Sequence, residues 1–405
     1  MITDKLYVGI DIHSREQVAA IIPQTAFYAQ SDDWKKIKPL VIKNNVADFE
    51  LLDKAIRRHV TDIVDVHIVV DYTGGYYSAP IVNFLQTKGY LVVYLPAKNV
   101  KDAKERFLGE ENKTDRLDAA LLAYLLYLRD AHGLSLNIVA VAADLNSQAT
   151  LLRSFVLQRM QYVRLATQTT NRLHQYLLAV FPEGESKYFR QLLKITPYYP
   201  TPKDMLESKG LANIKGLSDK ERDAILLLAK DTVGVPGDRY RWIIMELCQQ
   251  RSEAQQKSLF LQKMLNKEVE QHPYGELLLS FPWVGETIAA TLIGTIKDIN
   301  LWPNKKKLKK ALGVYGTEHI SAGSGYKKQG KGGSRSAKRV LYQACLGCLH
   351  KSAKPNDFRD YCEKQLSQNK IWIKAITSTT GKMVEIMYHC LKTGEKYEYQ
   401  GKYKR

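Results

Sequence analysis

Long apolar runs are missing from this chain: no stretch of 18 apolar residues occurs, which excludes a membrane-spanning helix. The N-terminus has no apolar signal-peptide core, so the expected location is cytoplasmic, with no membrane partner. Cysteine is scarce, with 5 residues and no dense spacing, which argues against a disulfide framework. Cys345 and Cys348 form one CxxC, but no second pair completes the four ligands of structural zinc, and we read the two as one helix face. Internal repeats are absent. Acid is scarce toward the C-terminus: from Phe281 onward 24 Lys and Arg face 9 Asp and Glu, so +15 of the formal charge of +18 lies there. Between Lys305 and Arg339 the one acidic residue is Glu318.

What is present is a chain of 405 residues, 45% hydrophobic and 10% aromatic, long enough for two or three domains with real cores. A basic domain on a near-neutral remainder reads as a polyanion-binding module, most often for DNA or RNA. The first 130 residues alternate strands and helices. "KLYVGID" (5–11), "EQVAAIIPQ" (16–24) and "KPLVIKN" (38–44) read as strands, then "VADFELLDKAIRRH" (46–59) as a helix. "VHIVVDY" (66–72) is a strand, "APIVNFLQTKG" (79–89) a helix, "YLVVYLP" (90–96) a strand, and "KTDRLDAALLAYLLYLRD" (113–130) a helix that Thr114 or Asp115 is placed to cap. That order makes an α/β unit of the ribonuclease-H type. Long helical periodicity follows from about 145 to 181 and from about 239 to 270. Helices of this length pair with each other or with a second subunit. "LLLSFPWVGETIAATLIGTI" (277–296) resembles a helix-hairpin-helix, with only Gly285 where such turns carry two glycines.

Two groups of residues carry chemistry. Asp11 and Asp71 end the first and fourth strands, and Asp115 and Asp118 lie three apart on one face at the start of a helix. In a ribonuclease-H fold the four converge on one sheet edge, where crowded carboxylates raise one another's pKa unless cations intervene. Mg²⁺ takes carboxylate oxygens, waters and phosphates, and a pair of such ions clamps both oxygens of a phosphoryl displacement. The second group is "HISAGSGYKKQGKGGSRSAKRVL" (319–341), serines in a flexible segment of glycines and cations. "GYKKQGKG" (325–332) nearly spells a P-loop, but Gly332 lacks the hydroxyl that holds Mg²⁺. Lys305, Lys306, Lys307, Lys309, Lys310, Lys327, Lys328, Lys331, Arg335, Lys338 and Arg339 are candidates to hold nucleic-acid phosphates.

"YVGIDIHS" (7–14), "VVDYTGGYY" (69–77) and "NKTDRLDAALLA" (112–123) resemble the N-terminal blocks of the DEDD transposases of the insertion-sequence 110 family, relatives of the Piv-type invertases. "SFPWVGETIAATLIGTI" (280–296), "KKALGVYGTEHIS" (309–321) and "GKGGSRSAKRVLYQA" (330–344) resemble its C-terminal blocks. The resemblance implies a RuvC-like domain over 1–135, a helical coiled-coil region over 140–275 with an insertion at about 182–238, and a basic, mainly helical transposase domain over 276–405. It implies Mg²⁺ on Asp11, Asp71, Asp115 and Asp118, and a serine that links covalently to DNA. It also implies donor and target DNA, a structured non-coding guide RNA, homodimers or homotetramers, and a prokaryotic cytosol or nucleoid. Two departures stand out. The second carboxylate is usually Glu, and Asp71 is one methylene shorter. The family's serine motif reads Gly-Leu-x-Pro, four residues, Ser-Gly; counted from Gly313 it reaches Ser321, but Ala322 follows and Gly316 replaces the proline. Ser324, followed by Gly325, is the alternative nucleophile. A metal-dependent nuclease would need the aspartates and neither serine, and a non-enzymatic binding protein would need none of them. No Arg–His–Arg–Tyr order supports a tyrosine recombinase.

Overall fold

The computed structural model describes residues 5–28, 33–71, 77–95, 100, 103, 105, 107, 115–134, 136, 139–140, 148–208, 211–321, 324–329, 332–368 and 370–401. Their side chains are described except at 115, 139–140, 301, 317–321 and 324–329. The chain divides into two compact units, Met1–Ser147 and Gln148–Arg405.

The first unit is built on a sheet of order β3-β2-β1-β4-β5-β6. Strands β1 (Leu6–Ile12), β2 (Glu16–Pro23) and β3 (Leu40–Lys43) form an antiparallel meander. β4 (Val66–Asp71) and β5 (Val92–Leu95) add parallel to β1, and the short β6 (Val139–Ala140) closes the far edge antiparallel. Helices α1 (Val46–Arg57), α2 (Ala79–Thr87) and α3 (Asp115–His132) complete the order of three strands, helix, strand, helix, strand, helix expected from the periodicity. Asn45 starts α1 by accepting the Asp48 amide at 2.9 Å.

Every residue of β1 is buried because both sheet faces are covered. Leu6, Val8, Ile10 and Ile12 share one core with Leu52 and Ile56 of α1 and Ile81 and Leu85 of α2. Tyr7 belongs instead to the opposite core, with Ala119, Ala123 and Tyr127 of α3. This alternation puts Asp11 on the α3 face, in phase with Tyr7 and Gly9.

In the second unit, α4 (Gln148–Val180) and α8 (Arg241–Gln271) run along each other. Their direction is antiparallel: Gln148 Nε2 donates to the Glu268 carbonyl at 2.9 Å, and Arg251 Nε to Thr170 Oγ1 at 3.1 Å. The polypeptide between them forms α5 (Pro182–Ile195), α6 (Pro202–Glu207) and α7 (Asp219–Lys230) around a small core of its own that includes Leu177, Phe181, Ile195 and Ile225. At the other end, Leu152, Val156, Leu265 and Val269 join a core with α9 (Gly275–Leu279), α10 (Glu286–Ile296), α11 (Lys305–Ala311), α12 (Arg335–Cys348), α13 (Asp357–Ser367) and α14 (Trp372–Thr393). The C-terminal tail folds back onto this core. Tyr397 stacks on Phe281 at 4.9 Å and on Phe358 at 5.2 Å, and its amide donates to Ser280 Oγ at 2.8 Å. All five cysteines are free and buried. Among the described residues, no helix is long and apolar enough to cross a membrane.

Candidate active site and basic surface

The aspartate site follows from strand register and one glycine. In the parallel ladder Ile10 pairs with Val70, so one residue further Asp11 stands beside Asp71, about 4.8 Å away at the usual strand spacing. Asp11 is 8% exposed. Its Oδ2 lies 3.1 Å from His13 Nε2, a contact that the sequence reading passed over although His13 is two residues on. One oxygen of Asp71 (Oδ1) and one of Asp118 (Oδ1) are also sealed from solvent.

Helix α3 reaches this edge because β1 lets it come close. A Cβ on Gly9 would stand 2.0 Å from the Ala119 carbonyl oxygen and 2.6 Å from the Ala123 amide nitrogen, so only glycine fits under the helix. Tyr7 meets Tyr127 with ring centroids 5.7 Å apart, and therefore α3 runs antiparallel to β1. From Gly9 to Asp11 the strand advances about 6.6 Å. At about 1.5 Å per residue that corresponds to four or five helical residues back from the Ala119–Ala123 crossing. The positions reached are those of Asp115 and Asp118. Further contacts hold the helix start: Arg116 donates to the Ile37 carbonyl at 3.2 Å and to the Lys36 carbonyl, and Trp34 stacks on Tyr124 at 4.5 Å.

Three of the four aspartates are thus visible with their side chains; that of Asp115, like Thr114, lies outside the described residues. Among the described residues no group of three or more His, Cys, Asp or Glu side chains is gathered closely enough to hold a metal. The aspartates nonetheless offer hard oxygens, the chemistry that Mg²⁺ takes, with the His13 imidazole beside Asp11.

The serine segment differs from the flexible loop expected of its glycines. Residues Gly316–Ser321 (β7) and Ser324–Gln329 (β8) pair antiparallel, and Ser321 and Ser324 are partners in the last pair. Two residues separate them, the commonest hairpin connection length. Thr317, Ile320 and Tyr326 are strand formers whose signal is diluted by the surrounding Gly and Lys. Gly333, at φ 92°, fixes the base of the hairpin: a Cβ there would lie 2.4 Å from the Lys310 carbonyl oxygen. The Ser334 amide then donates to the Ala311 carbonyl at 2.7 Å. Residues 324–329 are a strand and not a phosphate-cradling loop. Lys331 lies outside the described residues, as do the side chains of Ser321, Ser324, Lys327 and Lys328.

Of the remaining candidate cations, Lys305, Lys306, Lys307, Lys309 and Lys310 all sit on α11, anchored by the fully buried Leu308 and capped by Asn304, which accepts the Lys307 amide at 3.0 Å. Lys305 and Lys309 bind Glu385 of α14 at 3.3 and 3.1 Å. Burial alone would raise the Glu385 carboxyl, but Lys309 and Lys305 outweigh it and hold the group below the usual carboxylate range. Arg335, Lys338 and Arg339 line a cavity of about 510 Å³ beside α12, with Tyr342, Gln343 and Thr377. Cys345 and Cys348 sit in the α12 core as a helix face, and burial pushes their thiols up to about 11 and about 12.

At the helix-hairpin-helix-like turn, Gly285 starts α10 without a side-chain cap, and Trp283 holds φ 61°. The left-handed conformation survives there although tryptophan stands in place of a flexible residue. Its ring leans on Gly347, where a Cβ would meet it at 2.6 Å.

Comparison with known proteins identifies the family. The DEDD transposase model of the IS110 group, described as "Transposase", matches residues 8–182. The model described as "Transposase IS116/IS110/IS902 family" matches residues 275–363. A relative is the insertion element IS110 uncharacterized 43.6 kDa protein of Streptomyces coelicolor, 24% identical over 351 residues that cover 82% of this chain and 83% of that protein. The first matched segment contains Asp11, Asp71, Asp115 and Asp118, the second contains Ser321 and Ser324, and the chain belongs to the IS110 family of transposases: it is an enzyme that acts on DNA.

Proposed function

We propose that this transposase cuts and rejoins DNA by a serine nucleophile working with divalent metal on a ribonuclease-H-like, RuvC-type domain. The observation that carries the reading is the alignment of Asp11 and Asp71 on adjacent parallel strands, under the start of the helix that begins with Asp115 and Asp118. Sheet order β3-β2-β1-β4-β5, antiparallel then parallel, supports the fold assignment. Asp11, Asp71, Asp115 and Asp118 would hold one or two Mg²⁺ ions, which when bound neutralise phosphate charge and lower the pKa of a coordinated hydroxyl.

Ser321, with Ser324 as its alternative, would supply the attacking oxygen. That oxygen bonds to phosphorus as its proton leaves, the bridging P–O bond breaks, and the departing deoxyribose hydroxyl takes up a proton. The reverse attack by the hydroxyl of another strand end rejoins DNA and releases the serine. Arg335, Lys338 and Arg339 on α12, with Lys327 and Lys328 of β8 and with Lys331, would hold flanking phosphates. A structured non-coding RNA would select donor and target by base pairing, and the long antiparallel helices α4 and α8 would build dimers and tetramers. The three regions 1–135, 140–275 and 276–405 would divide catalysis, assembly and serine chemistry between them.

The test is recombination in cells with the gene between its native flanks, read by amplifying the joined-end junction. The reading requires loss of the junction in Asp115→Asn and in just one of Ser321→Ala and Ser324→Ala. Junctions that survive both serine changes but not Asp115→Asn would leave a metal-dependent nuclease without serine chemistry.

A further inference from the structure

Beyond the cations expected from the sequence, α11 and α14 enclose a groove of about 1200 Å³. That exceeds the roughly 300–1,000 Å³ of small-molecule sites and suits a polymer. Its lining carries Lys306, Lys309, Lys310, Lys370, Lys374 and Lys382, with Tyr315 and Tyr361 beside them and Glu385 as its one acid. Lys306 and Lys310 are one helical turn apart on one wall, about 6 Å, close to two 3.4 Å phosphate steps of a strand. Lys374 and Lys382 rise from the other wall, eight residues apart on α14. Among the described residues, no ion pair is made by Lys306, Lys310 or Lys374, all of which are exposed.

Glu385 sits where three lysines converge. Its carboxylate oxygens gather Lys309 at 3.1 Å, Lys305 at 3.3 Å and Lys382 at 3.9 Å. The Lys309 ammonium passes close over Gly381, 3.2 Å from where a Cβ would stand. From this arrangement we infer that the groove is a track for a phosphodiester strand, and that Glu385 is a built-in stand-in for one phosphate, holding its lysines gathered until nucleic acid displaces it. The inference rests on the chain's handling nucleic acid, as proposed above, and adds the site, three further lysines and the competing carboxylate.

The experiment is fluorescence anisotropy on the full chain, at several salt concentrations, with three labelled probes of one sequence: duplex DNA, single-stranded DNA and single-stranded RNA. A Lys306→Ala/Lys310→Ala/Lys374→Ala variant removes three phosphate contacts. The slope of log K against log salt should flatten by about 2–3, and affinity at 0.1 M salt should fall by up to about 500-fold, from about 0.9 per phosphate on a duplex and 0.7 on a single strand. Glu385→Gln should tighten the same probe up to about 8-fold and steepen its slope by up to about 1. The probe that responds names the strand: loss with DNA alone assigns the track to donor or target, and loss with RNA alone assigns it to a guide. Because the three lysines are exposed, thermal unfolding should stay at the wild-type temperature, and Lys306→Gln/Lys310→Gln repeats the test with the helix faces kept polar. Unchanged slopes in the lysine variants, with wild type binding the probes, would overturn the groove alone. Weaker binding by Glu385→Gln would overturn the stand-in role. Wild type binding none of the probes would overturn the nucleic-acid reading itself.

Discussion

Replacing Gly9 by alanine is the smallest change that separates the helix from the strand. The new Cβ would meet backbone atoms, the Ala119 oxygen at 2.0 Å and the Ala123 nitrogen at 2.6 Å, and neither can swing aside as a side-chain tip would. Ordinary contact begins at 3.4 Å, so α3 must lift on the order of 1 Å. Overpacking of this kind costs about 1–3 kcal/mol. At roughly 2–4 °C per kcal/mol for a unit of this size, the first unit should melt about 2–12 °C lower. The helix start carries Asp115 and Asp118, proposed above as metal ligands, and in that role a displacement of about 1 Å should lower the rate about 100-fold. Gly285→Ala is the control, because a Cβ there meets nothing within 4 Å. Circular-dichroism melting and quantitative amplification of the recombination junction measure both effects. A Gly9→Ala protein with wild-type melting and wild-type junction yield would refute the close approach, and with it the placement of the helical aspartates.

Other changes probe separate parts of the account. Tyr90 donates to the buried Asp53 at 2.7 Å, so Tyr90→Phe should destabilise the first unit by about 1.5–3 kcal/mol in urea denaturation, as expected for a hydrogen bond to a charged group; an unchanged midpoint would argue against that bond. Glu221 is held at about 2, chiefly by the Ser218 amide and then by the Ser218 hydroxyl and Gln191. Its folded-state value is depressed, so its contribution is complete above about pH 4.5 and is lost as pH falls toward 2. Glu221→Gln should flatten the fall in stability over that window, and an unaltered pH profile would contradict the capping geometry. The five buried thiols should react with a disulfide reagent only after denaturation, and the purified protein should carry no stoichiometric zinc. Rapid labelling of Cys345 or Cys348 in the folded protein would contradict their place in the core.

The parts legible from sequence were those with strong periodicity or strong apolarity. β1 reads as a continuous apolar run because both its faces are buried, and α4 and α8 declare themselves by apolar steps sustained over 33 and 31 residues. Asp11 and Asp71 were identifiable as strand ends, and the ladder adds that they are neighbours. The hairpin at 316–329 was not legible, because its glycines and lysines carry the composition of a loop while the pairing that stabilises it is non-local. Nor was the groove. Lys370, Lys374 and Lys382 stand about 60 to 75 residues beyond α11, and nothing in local spacing joins them to Lys306 and Lys310. His13 was within sight, two residues from Asp11, but an isolated histidine carries no signal until the strand places it.

If, as proposed, a hairpin serine carries DNA covalently while the aspartates supply the metal site, the reaction passes through a phosphoserine link between protein and DNA. The most direct measurement is mass spectrometry of the full protein after reaction with its flanking DNA and the RNA transcribed from those flanks, followed by nuclease digestion. The account predicts a nucleotide adduct on the tryptic peptide containing Ser321 or Ser324, present with Mg²⁺ and absent in Asp115→Asn. DNA strands cut at full yield with no adduct on either serine would contradict it.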